Sequence, residues 1–187
     1  MSAVSGLAYG VVSVKNAYRP RAIDVEFGDE DERIGEYELV RAIDAALCAW
    51  AISASAEFLA LVGRHGGTDI SLVQQLLARG LAQIAHREPQ AALEFLLSDP
   101  RRMALGARDR CTETWALVEA LVPHLDAPQR SMLEEAAVGW SPYLADLDED
   151  SATQANRERW RREDRLLLLR SFPAEFRSPT RLHSTRQ

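Results

Sequence analysis

Cys111 and His124, with Asp109 close in sequence, are the side chains whose types could supply a nucleophile and its base. Nucleophilic catalysis needs the two within hydrogen-bond reach. They stand 13 positions apart in a helix-like stretch, and on a straight helix that spacing separates them by about 20 Å. Ser53 and Ser55 have no identified base. Glu94, Glu134 and Glu135 carry carboxylates that acid–base chemistry would use, but such side chains are ordinarily solvated. No catalytic residue is assigned, and the expectation leans away from an enzyme.

The residues also argue against metal and phosphate chemistry. His65, His86, His124 and His183 lack the i,i+4 pair of a helical zinc site. Cys48 and Cys111 are isolated, defining neither a disulfide framework nor a zinc site, so reduced thiols are expected. From Asp24 through Glu38 there are eight carboxylates opposed by Arg33, without the ordered ligand positions of a calcium loop. "YGVVSVKN" has the wrong glycine spacing for a phosphate loop, and "RHGGTD" reads as a helix end. The sequence predicts no cofactor and no metal.

The most distinctive stretch is "RERWRREDRLLLLRSF", residues 157–172, whose first nine residues hold five arginines and three carboxylates. Four leucines follow, and successive helical positions turn by about 100°, so they cannot share one narrow face. A charged approach to a multi-sided docking plug is the leading reading, with Trp160, Leu166, Leu167, Leu168, Leu169 and Phe172 as interface candidates. The alternative is nucleic-acid binding through Arg157, Arg159, Arg161, Arg162 and Arg165. From Arg157 to Gln187, nine arginines against four acids give a formal +5, and Trp160, Phe172 and Phe176 could stack on bases. No fold-specific nucleic-acid motif accompanies them.

The 187 residues suffice for one ordinary domain. The chain is 47% hydrophobic and 27% charged, a globular composition. With 22 basic and 28 acidic residues, its net charge of −6 works against a surface that coats nucleic acid. "LVRAIDAALCAWAISASAEFLALV" is interrupted by Arg41, Asp44 and Glu57, so it reads as a buried helix, since a membrane span needs about 20 predominantly apolar residues. The start lacks a basic region, long apolar core and cleavage signal. The expectation is a cytoplasmic protein without a membrane segment.

The elements that must position these residues follow from periodicity. Residues 1–34 form an N-terminal extension: Ile23, Val25 and Phe27 alternate with acids, as in a β strand or hairpin, and an acidic linker follows. Residues 35–171 are expected to be a helical domain, and 172–187 a flexible tail. The first helix, from Tyr37 to Val62, carries a stripe through Leu39, Ile43, Leu47, Trp50 and Phe58, with Trp50 internal among small residues. Gly66 or Gly67 is suited to a left-handed helix end, and Thr68 or Asp69 to capping the next helix. Gly80 weakens that helix locally.

Further restarts are marked by Pro89 and by Asp99 with Pro100. The stripe Trp115, Val118, Leu121, Val122 and Leu125 ends near Pro123. Asp126 and Gln129 have capping-box spacing, and a last helix covers about residues 153–170. Trp115 and Trp140 read as packing anchors. The fold class is mainly α, an irregular helical bundle or a short antiparallel helical-repeat array, because the restarts recur about every 19 or 20 residues.

These capped helices and "RREDRLLLLRSFPAEF" together resemble helical-repeat scaffold segments of large bacterial signalling or defence NTPases, in general character over residues 70–178. The resemblance implies a regulatory or assembly module beside enzymatic domains elsewhere, and this chain has no nucleotide-binding motif of its own. The predicted function is a non-enzymatic protein–protein interaction scaffold or adaptor, with a protein partner or a second copy bound.

Overall fold

A break at Ala54 divides the long apolar run into two helices, α1 (Glu38–Ser53) and α2 (Ser55–His65). Ala54 leaves helical geometry at φ −143° and ψ 63°, while the Ser53 hydroxyl donates to the Ala49 carbonyl at 2.9 Å. The single helix expected over 37–62 is therefore kinked. The kink is compatible with Phe58 entering the core while α1 keeps its own direction. The computed structural model describes residues 38–106, 111–140, 159, 162, 163 and 165–176. The expected N-terminal β hairpin and acidic linker lie outside the described residues, as does most of the expected tail.

Helix α3 (Ser71–Ile84) is the centre of the fold, with α1, α2, α4 (Pro89–Ser98) and α5 (Thr112–Leu121) packed around it. Its buried positions run almost without interruption from Gln74 to Leu81, leaving only Arg79 half-exposed. A helix apolar on most sides is stable only when enclosed. A 3-10 turn, Pro100–Ala104, follows α4, and another, Val122–His124, closes α5 where Pro123 ends its hydrogen bonding. Helix α6 (Ala127–Gly139) packs on α4 and the Pro100–Ala104 turn. Residues 165–170 are helical, and a last turn spans Ala174–Phe176. The architecture is an irregular, mainly α-helical bundle, with no β-sheet among the described residues.

Local signals in the sequence explain many of the boundaries. Pro89 opens α4. Asp99 accepts from the Arg101 backbone N–H ahead of Pro100, although the turn it caps is 3-10. At α6 the reciprocal box is complete: the Gln129 N–H donates to Asp126 Oδ1 at 2.8 Å, and the Asp126 N–H donates to Gln129 Oε1 at 3.0 Å.

Three local expectations are overturned. Gly66 is right-handed at φ −57°, and neither it nor Gly67 occupies the left-handed region. Neither Thr68 nor Asp69 caps α3. Its N-cap is Ile70, without a side-chain bond, because Asp69 is drawn to Arg101 at 2.5 Å. Trp50 is not internal; it is 36% exposed, because α1 turns only one side toward α3.

The orphan carbonyls at the end of α2 are met from elsewhere. Gln74 Nε2 donates to Gly66 and Thr68 carbonyls, each at 2.8 Å. Buried Arg102 donates through Nη2 to the Gly66 carbonyl at 2.5 Å, through Nε to Gln74 at 3.1 Å, and through Nη1 to the Phe95 carbonyl and Ser98 hydroxyl. Its guanidinium also stacks 3.9 Å above the Phe95 ring. One arginine thus ties α2, α3 and α4 together, placing positive charge at a helix C-terminus where the backbone dipole favours it.

Candidate functional site

Among the described residues, helix α1 is held from one side and exposed on the other. Asp44 and Ala51 are its buried residues. Away from them, Leu39 is 70% exposed, and Ile43, Trp50 and Ile52 on the flanks are exposed as well. Ala42, Ala45, Ala46, Ala49 and Ser53 fill the surface between them, all exposed. From Ala42 to Ala56 the helical run contains one charged residue, Asp44, and that residue faces inward. A contiguous apolar patch of this kind is a mark of an interaction surface.

The inward side is anchored by charge. Arg79 on α3 grips Asp44 with two parallel bonds, Nε to Oδ1 at 2.7 Å and Nη2 to Oδ2 at 2.8 Å. This bidentate geometry fixes rotation of α1 as well as position. Glu113, buried on α5, stands 4.0 Å from the same guanidinium. Burial opposes the Arg79 charge, but Asp44 and Glu113 outweigh it and hold the guanidinium above its ordinary value. The Cys48 thiol donates to Asp44 Oδ1 at 3.7 Å. Burial, and then the Asp44 carboxylate, push that thiol up to about 11, so near neutral pH it is a protonated, weak nucleophile.

The leucine run has a divided fate. Leu168, Leu169 and Phe172 are buried in this chain's own core, Leu166 is half-buried, and Leu167 is 40% exposed. The turn of about 100° per residue that prevents a shared face sends these neighbours to different surroundings. Phe172, assigned to the tail from sequence, is 1% exposed, and Phe176 packs against the core behind it. Trp160 lies outside the described residues.

Among the arginines, Arg159 pairs with Glu163 at 3.0 Å with both side chains solvated. Arg162 is half-buried, and Arg165 donates to the Trp140 carbonyl at 3.4 Å. Arg157 and Arg161 lie outside the described residues. Trp140 is buried, as a packing anchor should be. Trp115 is half-buried, and its indole Nε1–H is enclosed without a hydrogen-bond partner.

Two surfaces were not expected from sequence. His86 and His124 meet with ring centroids 6.2 Å apart, although 38 positions separate them. No group of three or more potential metal ligands occurs among the described residues. The outer face of α1 was taken for core because its apolar spacing is that of a buried helix. The signal that could have found it is the uncharged "AALCAWAISASA", too apolar around its circumference for one neighbour to cover.

An apolar hollow of about 150 Å³, lined by Leu47, Leu61, His65, Val73, Leu76 and Leu77, opens beside α1. It falls below the roughly 300–1,000 Å³ of ordinary small-molecule pockets. No described helix is long and apolar enough to cross a membrane. Compared with known proteins, the chain matches no family model, no curated protein and no solved structure.

Proposed function

We propose that this chain is a non-enzymatic protein–protein interaction scaffold, a cytoplasmic adaptor in a larger assembly of the kind implied by the resemblance to NTPase-associated helical modules. The supporting observation is the outer face of α1, without charge from Ala42 to Ser53 and held outward by the Asp44–Arg79 clamp. Burying large apolar side chains contributes roughly 1.5 to 3 kcal/mol each, so the exposed Leu39, Ile43, Trp50 and Ile52 favour assembly. Exposed Leu167 is a second contact point.

The alternative is nucleic-acid binding through Arg157, Arg159, Arg161, Arg162 and Arg165, supported by the positive formal charge of the C-terminal stretch. It is the weaker reading, because Arg159 is engaged by Glu163 and Arg165 by the Trp140 carbonyl.

The scaffold reading is tested by the native mass of the purified full chain with anything that remains bound. The expected result is a species heavier than the 20.8 kDa chain, lost on Trp50→Glu while helix content is kept. A bare single chain without a protein partner would overturn it. Tight binding to RNA or DNA that collapses with rising salt would favour the alternative.

A further inference from the structure

We infer that His86 and His124 form a surface site for a borderline divalent transition metal, Cu2+ before Zn2+, with water filling the positions that the two imidazoles leave open. The site goes beyond the scaffold reading and does not rest on it. The ring centroids lie 6.2 Å apart, with the planes inclined at 59°. A metal–nitrogen bond is about 2.0–2.1 Å, and an imidazole nitrogen sits about 1 Å from its ring centre, so two rings sharing one ion have centroids roughly 4.5 to 6.4 Å apart. The observed separation falls inside that span, and a closure of about 1 Å gives the tetrahedral arrangement.

The fold holds the two backbones and leaves the two rings free. His86 follows α3 closely, where the Ile84 carbonyl accepts from the Arg87 and Glu88 N–H groups at 2.8 and 2.9 Å. Ile84 and Ala85, just before it, are wholly buried. His124 ends the Val122–His124 turn, in which the Leu125 N–H donates to the Val122 carbonyl at 3.3 Å, and Val122 and Leu125 are buried. Both histidines are exposed. Among the described residues, no hydrogen bond or ion pair engages either ring. Rotation about the side-chain bonds can therefore aim one nitrogen of each at a common point while neither backbone moves.

The donor set selects the ion. Imidazole nitrogen suits copper, zinc and nickel, whereas magnesium and calcium demand oxygen. At a given site the divalent affinities climb to copper and drop again at zinc, which makes Cu2+ the tightest ligand. Two protein ligands are fewer than the three of a catalytic zinc site or the four of a structural one, so the ion stays hydrated and exchanges. The advantage over a single histidine is chelation: once one ring holds the ion, the fold keeps the other within reach at high effective concentration. A net charge of −6 adds a general attraction for a dication.

The experiment titrates the full chain, free of any histidine tag, with Cu2+, followed by calorimetry and by electron paramagnetic resonance. One tightest ion per chain is expected, its spectrum split by two imidazole nitrogens. His86→Ala and His124→Ala should each weaken binding at least tenfold and leave one nitrogen in the spectrum. The double variant should be little weaker than either single one, because each alone already removes chelation. Zn2+ should compete and Mg2+ should not. His65→Ala and His183→Ala should bind as the parent chain does.

Stability gives a second readout. The ion joins the end of α3 to the turn after α5 in the folded state, so Cu2+ should raise the melting temperature of the parent chain and not of either single variant. In chelator the variants should melt with the parent, since both positions are exposed. Cu2+ binding that survives either substitution overturns the site, as do additive losses in the double variant, which would mean two separate one-nitrogen ligands. Equal losses in His65→Ala or His183→Ala, or an equal rise in melting temperature in the variants, overturn it as well.

Discussion

The tip of the Phe58 ring fills the space that a side chain on Gly80 would need: a Cβ there would lie 2.3 Å from Phe58 Cζ. The glycine lets α2 and α3 close on each other, and Phe58 is wholly buried in the contact. Substitution by alanine at an exposed helical glycine normally gains about 1 kcal/mol. Here Gly80→Ala should instead destabilise the protein by about 1 to 3 kcal/mol, because an enclosed ring cannot step aside. Chemical denaturation of the variant, beside Gly63→Ala where nothing lies within 4 Å, checks the sign.

Arg102 holds carbonyls from Gly66 and Phe95 together with the side chains of Gln74 and Ser98. Arg102→Met strands those groups in the interior, and a cost of about 3 kcal/mol or more is expected. Arg102→Lys should recover little, since a point ammonium cannot replace a planar fork. Melting curves of the two variants, compared with exposed Arg64→Met, measure the difference.

The adjacent leucines should respond in opposite ways. Leu168→Ala opens a cavity in the core and should cost about 2 to 5 kcal/mol, whereas Leu167→Ala should alter stability by about 0.5 kcal/mol or less. Equal losses at both positions in denaturant titrations would contradict this division.

Cys48 gives the protein an alkaline dependence. Its thiol ionises near 9.0 in an unperturbed chain and at about 11 in the folded protein. Below pH 9 it is protonated in both states, and its contribution is fully present. Between pH 9 and 11 the unfolded chain releases its proton first, so stability falls through that window. Site-resolved alkylation by iodoacetamide should show a midpoint near 11 in the folded protein, moving toward 9 in Asp44→Asn. A native midpoint near 9 would remove the burial and Asp44 argument.

Much of the fold was legible because its signals act over a few residues. The Asp126–Gln129 box, Pro89, the Asp99–Pro100 pair and the stop at Pro123 depend on local backbone chemistry. The failures occur where a distant residue competes. Asp69 has the chemistry of a cap but forms an ion pair with Arg101, and the end of α2 is satisfied by Gln74 and Arg102 without a left-handed glycine. The kink at Ala54 and the contact of Phe58 with Gly80 likewise join separate stretches of chain.

The candidate site divides along the same line. By itself, the sequence determined that the chain builds capped amphipathic helices, and that the four leucines could not share one narrow face. Only the tertiary structure decided which apolar groups were enclosed: Leu168, Leu169 and Phe172 inside, Leu39, Ile43 and Trp50 outside. The physical reason is that periodicity states how much apolar surface a helix carries and around how much of its circumference. Which part meets another helix depends on long-range contacts such as Asp44 with Arg79, 35 residues apart.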